Sequence, residues 1–171
     1  MTDIRKVIDE IGVEVDRALD KKQKSKYLYL SMLLYSLIEN FLKWLVATQI
    51  LWNETGKQTE AEMKGQAYQV DWDSIRKKAA RLDFNTAIDK AFTLGLIGIR
   101  LKKRLHNDRL TRNDLVHELW IYKRRNDEEF MRAMLEGLKA TTIKLVHVFG
   151  KLVYGEIGVD VPEMFTLLKG R

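Results

Sequence analysis

Cysteine is absent from the 171 residues of this chain. That removes disulfides, thiolate metal sites and thiol nucleophiles at once, and it is compatible with a reducing compartment. One proline and ten glycines leave few breaks in the backbone, so long helices are the natural reading. No segment alternates apolar and polar residues as a strand does, and no internal repeat is visible. Gly-rich phosphate loops and serine–histidine signatures are missing as well. His106, His117 and His147 are scattered and have no clustered carboxylates around them. Neither a metal centre nor a cofactor is therefore expected.

The opening residues, Met1-Thr2-Asp3-Ile4-Arg5-Lys6, lack the apolar core of a signal peptide. The most apolar stretch, Tyr27 to Trp52, is interrupted by Glu39, Asn40, Lys43 and Gln49. Such groups are costly in lipid, so the stretch reads as a buried bundle helix rather than a membrane span. The expectation is a soluble cytoplasmic protein without membrane contact.

What the chain does contain is ordinary for a globular domain: 46% apolar and 32% charged residues. Its length suits one domain with a real core. A net charge of +6 and a pI near 9.4 favour polyanionic partners, while a basic surface also serves solvation alone.

Helical spacing recurs along the chain. Ile4, Val7, Ile8, Ile11, Val15 and Leu19 make an amphipathic first helix that the Lys21–Lys24 run ends. A second helix is predicted from about Ser25 to Trp52. Leu30, Leu34, Leu37, Phe41, Leu45 and Thr48 form its stripe, and Leu33, Ile38 and Leu42 widen it, which implies a central position. Asn53-Glu54-Thr55-Gly56 is expected to stop this helix, leaving a polar connection to about Asp71. Asp71 or Asp73 can cap a short helix through Leu82, and Asn85 can cap another. Gly95-Leu96-Ile97-Gly98 reads as an apolar corner before a basic helix that begins near Ile99. A last long helix runs from a cap at Asn126 or Asp127 to about Tyr154. The fold class is all-α: a single-domain helical bundle of four to six helices over 1–154. Residues 155–171 form a C-terminal tail in which Pro162 can start a short helix.

Arg112-Asn113-Asp114-Leu115-Val116-His117 carries the chemistry. Arginine is a permanent cation whose planar fork matches phosphate oxygens. Histidine exchanges a proton near neutral pH. Together they suit metal-independent cleavage of RNA, in which a 2′-hydroxyl attacks its neighbouring phosphate. Chance gives about 0.2 Arg–His pairs at one fixed spacing in a chain of this composition. Asparagine directly after the arginine lowers that to below about one per cent. Arg100 and His106 form a decoy pair, with Leu101 after the arginine. Thr111-x-x-Asp114 resembles a capping box that restarts a helix; one continuous helix from Ile99 to Trp120 is the competing prediction. Lys102, Lys103, Arg104 and Arg109 precede the motif and can guide an RNA backbone toward it, or form a solvated basic face.

A long apolar second helix followed by a late Arg-Asn-x-x-x-His at a helix edge resembles the HEPN superfamily. In its RNA-cutting members an Arg-x4–6-His motif, often with a polar residue after the arginine, marks the site, and Arg112, Asn113 and His117 match. Glu39-Asn40-Phe41-Leu42-Lys43 has the form of the Glu-x3-Lys pair found in an early helix of several HEPN families. The resemblance implies an endoribonuclease that is a toxin, phage-defence or RNA-processing factor. It also implies a homodimer with two facing motifs, and an antitoxin or regulatory protein as a further partner. One departure stands out. HEPN toxins paired with a nucleotidyltransferase antitoxin typically carry tyrosine two positions after the histidine, where this chain has Leu119; its nearest tyrosine is Tyr122.

Within this resemblance His117 is the general base or acid, Arg112 holds phosphate oxygens, and Asn113 orients one or the other. Glu39, Lys43 and Asp114 would support them. A purely structural account is also open: Arg112 pairs with Glu39 or Asp114, and His117 donates to a backbone carbonyl. The matching alternative function is a non-catalytic HEPN-like module, similar to helical regulators such as the mannitol repressor family, that binds protein or nucleic acid.

Overall fold

The computed structural model describes residues 4–117 and 128–154. Among them the architecture is all-α: α1 (Ile4–Asp20), α2 (Lys24–Met63), α3 (Trp72–Ala80), α4 (Phe84–Thr93), α5 (Ile99–His117) and α6 (Glu128–Tyr154). The proposed caps at Asn126 and Asp127, Leu119, Tyr122 and the tail 155–171 lie outside the described residues.

α2 is the axis around which the others pack, as its wide apolar stripe requires. Leu30, Leu34, Ile38, Phe41, Leu42 and Leu45 are all buried, and burial extends to Tyr27 on the same stripe and to Tyr35, Val46 and Leu51 beside it. Every other described helix touches it. By length and composition α2 could cross a bilayer; 56% of its most apolar window is buried inside the bundle.

The short connection at residues 21–23 folds α1 back against α2, and Lys26 approaches Glu14 at 3.4 Å. α6 instead runs parallel to α2. Lys24 pairs with Glu128 at one end of the two helices. Farther along, the Phe149 ring meets Phe41 edge-on at 5.8 Å and Trp44 at 4.8 Å.

The predicted stop at Gly56 is a correction: α2 continues to Met63. A glycine inside a helix costs about 1 kcal/mol against alanine, less than is lost by abandoning the helical hydrogen bonds on either side. Local side-chain links also hold the segment. Thr55 Oγ1 donates to the Leu51 carbonyl at 2.9 Å, Lys57 to Glu54 at 2.7 Å and Gln58 to Glu62 at 2.8 Å. The helix ends where a left-handed residue is available. Gly65 has φ +67°, and the Gln66 N–H reaches back to the Ala61 carbonyl at 2.9 Å. Gly95, at φ +73°, closes α4 in the same way through Leu96 N–H to Ala91. The apolar corner before α5 is thus a helix-stop motif.

Asp71 caps α3, its carboxylate accepting from Ser74 N–H at 2.9 Å. The cap of α4 is Asp83, not Asn85. Asp83 has the extended backbone a cap needs and accepts from both the N–H and the hydroxyl of Thr86. Those bonds hold its carboxyl below the usual carboxylate range. Asn85 lies already inside the first turn. The capping-box restart at Thr111 is also corrected, because α5 runs unbroken from Ile99 to His117.

Leu45, with no exposed surface at the centre of α2, gives the direct check on this packing. Leu45→Ala is expected to lower unfolding stability in urea by about 2–5 kcal/mol, the range for a core truncation that leaves a cavity.

Candidate functional site

α5 carries the motif, and its register decides where each side chain points. At about 100° per residue, buried Leu105, Asp108 and Leu115 define the core-facing side. Arg112 falls on that side, between Leu105 and Asp108, and about 140° around the helix from His117. Arg109, Asn113 and His117 turn progressively outward along one flank, Lys103 points away from the core, and Arg104 occupies the opposite flank.

Arg112 is half-buried and leans toward α2, with its Nη2 3.7 Å from Glu39 Oε2. The other Glu39 oxygen accepts from Lys43 Nζ at 2.7 Å. The side chains of Glu39 and Lys43 are only 18% and 15% exposed. A carboxylate this sheltered needs partners, and it has two cations. Glu39, Lys43 and Arg112 therefore form one ionic cluster between α2 and α5, and the Glu-x3-Lys pair is joined to the motif in space. Of the two structural partners expected for Arg112, Glu39 is the one it meets; Asp114 is exposed on the outer side.

His117 is exposed, and no hydrogen bond or ion pair engages it among the described residues. Asn113 is half-buried one turn before it on the same flank. Arg112 and His117 are separated by five residues, about 7.5 Å along the helix axis.

The four basic residues ahead of the motif do not form one strip. Lys102 donates to Asp89 of α4 at 2.7 Å and lies 4.7 Å over the Phe92 ring. His106 stands 3.6 Å from the same carboxylate. The Lys102 bond holds Asp89 below the ordinary carboxylate value. Arg104 pairs with Asp108 at 3.1 Å and lies against Gly137 of α6. Lys103 is exposed, and Arg109 is half-buried with its Nε shielded. Two of the four cations are thus engaged on different sides of the helix, and Lys103 and Arg109 have no ion pair among the described residues.

A second feature escaped the sequence reading. Three of the four tryptophans line a groove of about 440 Å³ between α2 and α3: Trp44, Trp52 and Trp72. They are 39%, 41% and 47% exposed. Lys43 and Asn40 belong to its wall, as does Arg76 of α3. The signal lay in the spacing: Trp44 and Trp52 are eight apart on one helix, which puts them on one face. That face becomes a groove because α3 packs alongside it. Among the described residues, no His, Asp and Glu side chains gather in a metal-ligating arrangement.

Compared with family models, curated proteins and solved structures, the chain matches none.

Asp108 fixes α5 against α6 and so sets the position of the motif. It is buried, accepting from Thr141 Oγ1 at 3.0 Å as well as pairing with Arg104. Burial raises its pKa, opposed by Arg104 and the Thr141 hydroxyl. A carboxyl that holds its proton more tightly folded than unfolded contributes stability below the ordinary range near about 4. That contribution is lost as pH rises through the raised folded value. Asp108→Asn has no charge to form and removes this step. Relative to the parent, the thermal midpoint of Asp108→Asn is expected to rise between pH 4 and pH 7; a constant difference across that interval contradicts the assignment.

Proposed function

We propose that this chain is a metal-independent endoribonuclease of the HEPN type, cutting single-stranded or looped RNA as a toxin, phage-defence or RNA-processing factor. One observation supports this reading most directly. Arg112, Asn113 and His117 stand on one unbroken helix, with the guanidinium against Glu39, Asn113 and His117 on a shared outward flank, and the imidazole open to solvent.

In the proposed reaction a 2′-oxygen attacks the adjacent phosphorus and the bond to the 5′-oxygen breaks. The products are a 2′,3′-cyclic phosphate and a 5′-hydroxyl. One imidazole takes the proton of the 2′-hydroxyl, and another donates a proton to the leaving oxygen. Arg112 holds the non-bridging oxygens and offsets the charge that builds on the phosphorane. Asn113 orients the histidine or the phosphate. Glu39 and Lys43 position the guanidinium. Each chain offers one His117 at this edge, so the acid–base pair calls for a homodimer with facing motifs. Unpaired RNA is the substrate because an A-form duplex resists the in-line geometry that the attack requires.

A second reading has its own support. Arg112 already lies against a carboxylate, 3.7 Å away, and a guanidinium so occupied is less available to phosphate. On that reading the chain is a non-catalytic helical module that binds protein or nucleic acid.

Purified protein in EDTA is expected to nick a labelled unpaired RNA and leave cyclic-phosphate ends. His117→Ala is expected to slow cleavage about 10²–10⁴-fold while circular dichroism stays unchanged. RNA affinity should fall with salt by about 0.7 in log–log slope for each phosphate neutralised. A parent protein that binds with such a slope but never cuts is the binding module.

A further inference from the structure

We propose that the groove between α2 and α3 receives an unpaired base of a nucleic-acid strand, stacked against tryptophan. The choice of RNA as ligand rests on the ribonuclease reading above; the stacking site itself rests on separate residues.

Three exposed indoles in one groove are unusual, because large apolar side chains normally leave the surface unless something covers them. Trp44 is itself held in place, stacked on Phe41 at 5.9 Å and packed against Phe149. It forms a rigid floor rather than a mobile flap. Trp52 and Trp72 stand on either side of the groove, one from each helix. The volume of about 440 Å³ lies within the range of small-ligand sites.

The polar groups of the wall distinguish a nucleotide from an apolar partner. Lys43 and Arg76 both line the groove, and among the described residues no Asp or Glu does. Arg76 is exposed and has no ion pair among the described residues. Asn40 donates its amide to the Ser36 carbonyl and hydroxyl, so its Oδ1 remains an acceptor for a base edge. Aromatic faces with cations beside them, and no carboxylate to repel phosphate, are the makings of a single-strand stacking site. A second protein chain docking on tryptophans would leave Arg76 without a counter-charge.

Position links this groove to the motif. Lys43 is shared: it lines the groove and also donates to Glu39, which contacts Arg112. A strand with one base between Trp52 and Trp72 would therefore run its backbone past the ionic cluster that braces Arg112. The groove would act on strand affinity, not on the chemical step.

The test uses the full chain carrying His117→Ala, so that RNA stays intact. Tryptophan fluorescence is followed on titration with an eight-nucleotide unpaired RNA, its duplex, or AMP. Quenching by the single strand is expected, with the duplex and AMP much weaker. Trp72→Ala and, separately, Arg76→Glu are expected to weaken strand binding, the former about 5- to 150-fold, the range for one lost stacked base; Trp72→Phe is expected to restore it. In the cleaving parent background, Trp72→Ala is expected to raise KM and leave kcat unchanged. Unchanged affinity in both variants overturns the proposal. So does a tryptophan emission that is indifferent to the single strand. Equal binding of AMP and strand overturns the strand assignment. A parent that binds RNA through Trp72 without cutting it leaves the groove standing and removes the nuclease reading.

Discussion

A carboxylate halfway along the most apolar helix must be paired, and that constraint organises this protein. Glu39 sits on α2, the element every other described helix packs against, and its side chain is largely shielded from solvent. Removing either cation would leave an under-compensated charge in a low-dielectric setting, which is far more costly than breaking a surface pair. Lys43 answers it from the same helix and Arg112 from α5. The same contact that satisfies α2 joins α5 to it at Arg112, while Asp108 ties α5 to α6 through Thr141. The position of α5 in turn decides which of its residues face water.

Much of the fold was legible because its signals are periodic. The apolar stripe of α2, the start of α5 after the Gly95 corner and the last long helix all follow from spacing and helix stops. What was missed depended on competition between local signals. Gly56 and Gly65 look alike in a sequence, yet only Gly65 adopts the left-handed conformation that lets Gln66 bond back to Ala61. Asp83 and Asn85 are both good caps in isolation. Asp83 prevails because Thr86 stands three residues on, offering both an N–H and a hydroxyl. Thr111 and Asp114 matched a capping box, but a capping box needs a break, and the helix had no reason to break there.

The candidate site was legible only in part. Spacing placed Asn113 and His117 on one face, and it could place Glu39 beside Lys43. That Glu39 would meet Arg112, and not Asp114, depended on the crossing of α2 and α5, which no local pattern records. The basic run from Lys102 to Arg109 read as one strip, yet helical geometry spreads it around α5, where Asp89 and Asp108 take up two of its charges. The tryptophan groove needed two elements at once. Trp44 and Trp52 share a face of α2, but a wall from α3 makes it a cavity.

The functional account joins these parts: a buried carboxylate braces an arginine, a continuous helix carries an exposed histidine beyond it, and an aromatic groove adjoins through a shared lysine. Its central claim is that Arg112 and His117 engage the same phosphodiester. The most direct measurement is an NMR titration of the isotope-labelled protein with a short 2′-O-methyl RNA, which binds but cannot react. The account predicts that the His117 imidazole and Arg112 guanidinium resonances move together along one saturation curve. An imidazole that shifts while the guanidinium stays fixed against Glu39, or two curves with different midpoints, would contradict it.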